Sequence, residues 1–365
     1  MRYRHGLVVG KFYPPHAGHH ALIDAAADAC DRVTVVVAPS SAESIPLDLR
    51  LEWLREAHGP HVRFVGVYDD HPIDYADPAV WDLHMRVFRA AVGADRVDVV
   101  FSSEAYGAEL SRRFGAGAVL VDPGRARVPV SGTAIRADPV AYWEHLGPGA
   151  RAWLTRRVIV VGAESTGTTA MARALARHYR TRGGVWSTTR WVPEYGRELT
   201  ERKLAVLRES RPSATVFDVV WDRDDFVAVA EEQRAAEDAA ARSGSPVLFG
   251  DTDAFATTIW EERYLGSTSV KVRELVRDPD LYLLTEAAGV PFEDDGLRDG
   301  EHLRGWMTER FRTELAVGGT PYLELGGSFR KRLQGAVRAV DELIARGWRF
   351  TPPLSANGSG MVAER

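Results

Sequence analysis

The chain has 365 residues, 45% of them hydrophobic and 27% charged, enough for about two domains that can each bury a core without metal or disulfide staples. Its one cysteine, Cys30, excludes an internal disulfide and a thiolate metal cage. A net charge of −5 argues against a basic nucleic-acid-binding surface, and no run approaches the roughly 18 apolar residues of a membrane helix. The expectation is a reduced, cytoplasmic protein with small-molecule partners, no nucleic acid and no membrane, with homo-oligomerisation left open. Only four residues are lysines, Lys11, Lys203, Lys271 and Lys331, so the place of each lysine is informative.

Short apolar runs alternate with amphipathic stretches from the start. Leu7–Val9, Val33–Val37, Val62–Val67, Val97–Phe101 and Ala118–Val121 read as strands, with helical patterns at 19–29, 47–57, 79–91 and 105–114 between them. Around 137–157 the pattern breaks at Pro139 and Gly147-Pro148-Gly149. A second alternation then begins at Val158–Val161 and runs through 190–193, 247–249, 281–284 and 322–325, with long helices at 222–241 and 329–346. The fold class expected is α/β, with two doubly wound parallel-sheet domains. The first spans 1–140, a linker 141–156, the second 157–350 and a flexible, Pro/Ser/Gly-rich tail 351–365.

The first strand runs into Gly10-Lys11-Phe12-Tyr13-Pro14-Pro15-His16-Ala17-Gly18-His19. A loop leaving the C-terminal edge of a parallel strand is where such folds bind ligands, and the helix that follows offers free N–H groups to phosphate. His16 and His19, with only small residues between, can both reach one phosphate group. This stretch resembles the GxFxPxHxGH signature of the adenylyl- and cytidylyl-transferring nucleotidyltransferase superfamily, whose fold is Rossmann-like. Val130-Ser131-Gly132-Thr133-Ala134-Ile135-Arg136 resembles that superfamily's later [I/V]-S-x-T-x-x-R motif. Ser131 or Thr133 fits an N-cap, and Arg136 in the first turn is free to grip phosphate. The resemblance implies direct attack of a substrate phosphate on the α-phosphorus of ATP, without a covalent enzyme intermediate. His16 and His19 would act as donors, Lys11 as a point charge and Arg136 as a fork. Gly10, Phe12, Gly18, Ser131 and Thr133 would complete the ATP site. Mg²⁺ would ride on the triphosphate, mostly through phosphate and water.

The second half opens with the same device. Val158–Val161 leads into Gly162-Ala163-Glu164-Ser165-Thr166-Gly167-Thr168-Thr169 and a helix, the setting of a P-loop. Threonine stands at 168 where GxxxxGK[ST] has lysine. The backbone cradle and the Mg²⁺-ligating hydroxyl of Thr169 survive; the cation does not. Arg298, Arg304 or Lys271 are the candidates to replace it from a lid, for which the polar stretch 294–299 is suited. Asp251, ending an apolar strand, is the expected second Mg²⁺ partner, whereas Asp253 serves equally as a helix cap. Glu194, in Trp191-Val192-Pro193-Glu194-Tyr195, ends the second strand of this half, where the resemblance to nucleoside kinases of similar architecture implies a carboxylate acting as general base.

Taken together, HxGH, SGTAIR, a P-loop domain beginning GAES, EYGRE and DTD resemble the NadR-type bifunctional enzymes over most of residues 5–346. That resemblance implies nicotinamide mononucleotide (NMN) adenylyltransferase chemistry in the first half and ribosylnicotinamide kinase chemistry in the second, with ATP as substrate of both. It implies ring-stacking by Trp81 in the first site, by Trp260 or Tyr264 in the second, and substrate contact by Tyr195. The same aromatics also suit a core. With the first strand begun by residue 6, no helix-turn-helix repressor domain and no transcriptional role are expected. The alternatives are an adenylyltransferase fused to a non-catalytic nucleotide-sensing P-loop module, or an adenylyltransferase with a different acceptor such as a phosphopantetheine or flavin nucleotide.

Overall fold

The computed structural model describes residues 2–352 and residue 354; residues 353 and 355–365 of the expected tail lie outside the described residues. Two compact units result, one formed by the chain up to Ala150 and again from Trp348, the other by Arg151–Gly347.

In the first unit, β1 (Tyr3–Gly10), α1 (Ala17–Ala29), β2 (Cys30–Val37), α2 (Leu47–Ala57), β3 (Val62–Gly66), α3 (Pro78–Val92), β4 (Val99–Ser102), α4 (Tyr106–Phe114) and β5 (Gly117–Leu120) alternate. The strands form one parallel sheet in the order β3-β2-β1-β4-β5. A parallel strand covered on both faces reads as a continuous apolar run, because alternate side chains feed opposite layers. On β1, Val8 joins Val35, Val99 and Phe101 in one core cluster, while Leu7 and Val9 join Val36, Val100 and Trp81 in the other.

Short helix α5 (Gly132–Ala137) follows, then a 3-10 turn at Trp143–His145 and α6 (Pro148–Leu154). The stretch 141–156 is thus largely helical, and the passage between units falls inside α6. Proline at the first position of α6 is well placed, since its missing N–H would have no partner there. Returning from the second unit, Thr351 N–H donates to Ser44 Oγ at 2.7 Å and the Tyr13 hydroxyl donates to Thr351 O at 3.2 Å. The Phe350 ring stands edge-on to Tyr13 at 5.8 Å.

In the second unit come β6 (Arg156–Gly162), α7 (Thr168–Arg180), β7 (Arg190–Val192), α8 (Tyr195–Ser210), α9 (Arg223–Ser243), β8 (Val247–Asp251), α10 (Ala254–Leu265), α11 (Val270–Leu275), β9 (Leu281–Thr285), α12 (Arg304–Gly318), β10 (Tyr322–Leu325) and α13 (Phe329–Ala345). Its parallel sheet has the order β10-β9-β6-β8-β7. The same alternation holds on β6: Val158 and Val160 pack with Met171, Leu175 and Phe249, and Ile159 and Val161 pack with Tyr282, Leu284 and Phe311.

Each sheet places its first strand in the interior. β1 lies between β2 and β4, and β6 between β8 and β9. The chain therefore moves to one side and then the other of that strand, opening a crevice beyond its C-terminal end. Both glycine-bearing loops leave the sheet at this point.

Candidate active sites

In the first unit the loop after β1 is held tightly. Phe12 adopts a left-handed backbone (φ 51°) that turns its ring into the core, 1% exposed. His16 caps α1, its Nδ1 accepting the Gly18 N–H at 3.1 Å. A Cβ at residue 18 would come within 3.1 Å of the His16 ring, which explains the glycine. Since Nδ1 accepts, the hydrogen of neutral His16 sits on Nε2. The His19 ring stacks on His16 at 3.7 Å and packs beside Phe12 at 4.8 Å. Burial, followed by neighbouring imidazoles and by Arg125 and Arg136, pushes His16 down to about 3 and His19 well below the ordinary histidine range. Both rings are neutral in the free protein and offer single N–H donors, not charge.

Positive charge comes from arginines. Arg136 Nη1 donates to Tyr13 O at 2.7 Å and Nη2 to Thr133 Oγ1 at 3.2 Å, with the guanidinium 4.9 Å from the Tyr13 ring centre. Ser131, not Thr133, is the cap of α5, accepting from Ala134 N–H. Lys11 is already paired: its Nζ lies 2.8 Å from Glu43, which also binds buried Arg50 at 2.7 Å. The expected lone point charge is therefore a shared one.

A cavity of about 580 Å³ opens beyond the loop, and Gly10, Lys11, Phe12, His19, Trp81, Ser131, Thr133 and Arg136 all line it. His16 and Gly18 line a smaller cavity that shares His19, Arg125, Ser131 and Gly132 with the first. Trp81 is buried, donates from Nε1 to Tyr75 O at 3.1 Å and carries the Arg113 guanidinium 5.5 Å from its ring centre. Tyr75 stacks on Tyr106 at 5.7 Å, so the wall is a group of aromatics of which the sequence singled out one. Tyr75, Tyr106 and Arg125 were missed as site residues, because nothing local in the sequence tells a lining aromatic from a core one.

In the second unit the loop after β6 forms a cradle. Ser165 (φ 57°) and Gly167 (φ 89°) take left-handed backbones. Gly162 has no room for a side chain: a Cβ there would lie 2.3 Å from Thr285 Oγ1 and 2.7 Å from Thr166 Oγ1. Thr166 turns inward, donating to Ala163 O at 2.7 Å. Thr169 donates its hydroxyl to Asp251 Oδ2. Asp251 is 1% exposed and its Oδ1 has no partner. Burial pushes the Asp251 carboxyl upward, and burial plus the Asp251 charge pushes Glu194 up to about 8. Asp253 caps α10 and accepts from the Tyr282 hydroxyl at 2.7 Å, so the cap reading of that residue holds.

Over the cradle lies the segment 290–304. Arg298 Nη1 donates to Ser165 Oγ at 3.3 Å, Arg304 Nη2 to Ser165 O at 3.2 Å, and Gly300 N–H to Glu164 Oε2 at 2.7 Å. Glu164 also pairs with buried Arg263 at 3.2 Å, and Arg263 with Asp299. Glu164 thus ties the cradle to its cover. Lys271 is exposed on α11 and is not among the residues lining the site. The adjoining cavity, about 110 Å³, is lined by Gly162, Glu164, Ser165, Thr168, Thr169, Glu194, Trp260 and Arg298, and by Trp221, Phe226 and Tyr264. Tyr195 is not part of this lining; its hydroxyl meets Arg202.

With both loops and their cavities described, the chain can be set beside known proteins. A family model described as an AAA domain matches residues 157–332. The trifunctional NAD biosynthesis/regulator protein NadR of Escherichia coli (strain K12) is 27% identical over 312 residues, 80% of this chain and 71% of that protein. NadR of Salmonella typhimurium (strain LT2) is 27% identical over 310 residues, with the same shares covered. The chain is similar to NadR over four-fifths of its length. In fold it is similar to a crystal structure of NadR protein in complex with NR, with TM-score 0.69, 22% identity, and 96% of this chain and 98% of that one covered. It is also similar to NadR protein in complex with NAD and AMP-PNP, with TM-score 0.70, 22% identity, and 93% and 96% covered. Two features of the second unit stand out: threonine at 168, where the P-loop pattern has lysine, and arginines from the covering segment bound to the cradle that lacks it. No helix among the described residues is long and apolar enough to cross a membrane.

Proposed function

We propose that the first unit transfers the adenylyl group of ATP to NMN, giving NAD and pyrophosphate, and that the second phosphorylates nicotinamide riboside to NMN. The observation that carries this reading is that an HxGH loop and a P-loop-like loop follow the two interior strands β1 and β6 of a chain similar to NadR.

In the first site a phosphate oxygen of NMN attacks the α-phosphorus of ATP, the bond to the bridging oxygen breaks, and pyrophosphate leaves. The neutral rings of His16 and His19 donate N–H groups to phosphate oxygens, and Arg136, fixed by Tyr13 O and Thr133, supplies the charge. Arg125 lies at the junction of both cavities and supplies a second cation. Trp81 and Tyr75 offer aromatic faces for a cationic pyridinium.

In the second site ionised Glu194 takes the proton of the riboside hydroxyl as its oxygen attacks the γ-phosphorus of ATP, and ADP leaves. A carboxyl raised to about 8 is well matched to this role near neutral pH. The orphaned Asp251 Oδ1 beside the Thr169 hydroxyl is a hard-oxygen set suited to Mg²⁺. Mg²⁺ held there would neutralise charge on the β- and γ-phosphates. Arg298 and Arg304 stand in for the absent lysine. The buried lone cysteine and the small-molecule substrates fit a cytoplasmic enzyme.

A product assay with purified protein, ATP and Mg²⁺ tests both halves. NMN is expected to give NAD and pyrophosphate, and nicotinamide riboside to give NMN and ADP. No NAD from NMN would overturn the first assignment. Absence of the riboside reaction alone would make the second unit a nucleotide-sensing module, the reading that Thr168 otherwise favours.

A further inference from the structure

One cluster on the wall of the first cavity has no part in the chemistry above. Asp69 follows β3, and its carboxylate, 6% exposed, receives two imidazoles. His71 Nδ1 lies 2.7 Å from Oδ1 and His84 Nδ1, from α3, lies 2.6 Å from Oδ2. The other nitrogen of His84, Nε2, is 3.1 Å from Pro72 O. A carbonyl only accepts, so Nε2 carries a hydrogen. In the neutral ring Nδ1 is then a lone pair aimed at a carboxylate oxygen, which also only accepts. With both contacts made as hydrogen bonds, a cation sits between them, either a second proton or a metal ion.

We propose that Asp69, His71 and His84 form a site for a first-row divalent transition metal such as Zn²⁺ or Co²⁺. One carboxylate and two imidazoles, with ligand atoms all within 4.8 Å of one another, are the donor set of many such sites. The bond from His84 Nε2 to a backbone carbonyl is the orienting contact that metal-bound histidines commonly make. Bonds of about 2.1 Å to nitrogen and oxygen at tetrahedral angles would separate each Nδ1 from its oxygen by about 3.4 Å, so binding would open the 2.6 and 2.7 Å contacts by less than an ångström. Asp69 and His84 also line the large cavity, which leaves coordination positions open on that side for water. The ion would tie the segment after β3 to α3 and so hold the wall that carries Tyr75 and Trp81. It is separate from Mg²⁺ at the P-loop, whose partners are oxygens.

The test uses the full chain, treated with chelator, without nucleotide and near pH 7.5. Co²⁺ is titrated in, and its visible absorption is recorded. One equivalent is expected to bind with the spectrum of nitrogen–oxygen coordination, to be displaced by Zn²⁺, and to raise the unfolding temperature. Asp69→Asn and His71→Ala are each expected to weaken binding about tenfold or more, while His58→Ala, at the separate His20–His58 pair, leaves it unchanged. If His84→Ala fails to fold, His71→Ala decides, because that ring is about a third exposed. Absence of Co²⁺ binding, or binding undiminished in Asp69→Asn and His71→Ala, overturns the proposal and leaves a proton between the pair. No readout involves turnover, so failure here is distinct from failure of the assignments above.

Discussion

At the scale of single residues, the chemistry turns on which groups carry protons. The ring protons of His16 and His19 are expected not to titrate by NMR between pH 5 and 8 in the free protein, since burial holds both rings neutral. His19→Ala is expected to lower NAD formation at least a hundredfold, about 3 kcal/mol of transition-state stabilisation, and to leave riboside phosphorylation intact; the product assay reads both. Glu194 behaves in the opposite sense. As an acid whose value in the folded protein lies near 8, it holds a proton at pH 7 that the unfolded chain has released. The kcat/KM for nicotinamide riboside is therefore expected to rise with pH up to about 8, and Glu194→Gln to abolish that limb along with the activity. A flat profile between pH 6 and 8 would remove Glu194 from the role of base.

At the scale of elements, two local structures make further demands. The cradle between β6 and α7 lacks its lysine, and Arg298 of the covering segment donates to Ser165 within it. If Arg298 replaces the missing charge, Arg298→Ala lowers kcat for phosphorylation by ten- to a hundredfold, and by much less when Thr168→Lys is also present. Equal losses in both backgrounds would show that the arginine acts elsewhere. Helix α9 buries Glu237, whose Oε1 has no partner and whose carboxyl burial and Asp253 push up to about 8. Because the folded state binds a proton that the unfolded state releases above its ordinary value of 4.5, stability declines as pH rises from about 4.5 to 8. Glu237→Gln is expected to flatten this decline in denaturant titrations at pH 5 and 8. An unchanged slope would mean that Glu237 is ionised in the folded protein.

At the scale of the whole molecule, two loops at two switch points predict separable reactions: Asp251→Asn is expected to abolish riboside phosphorylation and to leave NAD formation unchanged. Loss of both would show that the activities are linked. The two sheets were legible in the sequence because a doubly covered parallel strand has to be an unbroken apolar run, as at Val33–Val37 and Val158–Val161. The two glycine-bearing loops were legible because glycines mark places where a side chain is crowded, as at Gly18, or has no room, as at Gly162. What surrounds the loops was not legible. Tyr106 has the spacing of a core residue and Tyr75 lies in the irregular stretch before α3, and only the fold turns them toward a cavity. Lys11 read as a free charge because its partner, Glu43, is 32 positions away. Stretch 141–156 read as a linker because Gly147-Pro148-Gly149 interrupts it, although proline suits the first turn of α6.

The return of Thr351 to Ser44 and Tyr13 has a consequence for how the protein is made. Synthesis runs from the N-terminus, so β1 to β5 leave the ribosome long before Phe350 does. Until then Tyr13, whose carbonyl also anchors Arg136, lacks the Phe350 and Thr351 contacts that close over its ring and hydroxyl. The half that is translated first is therefore the half completed last.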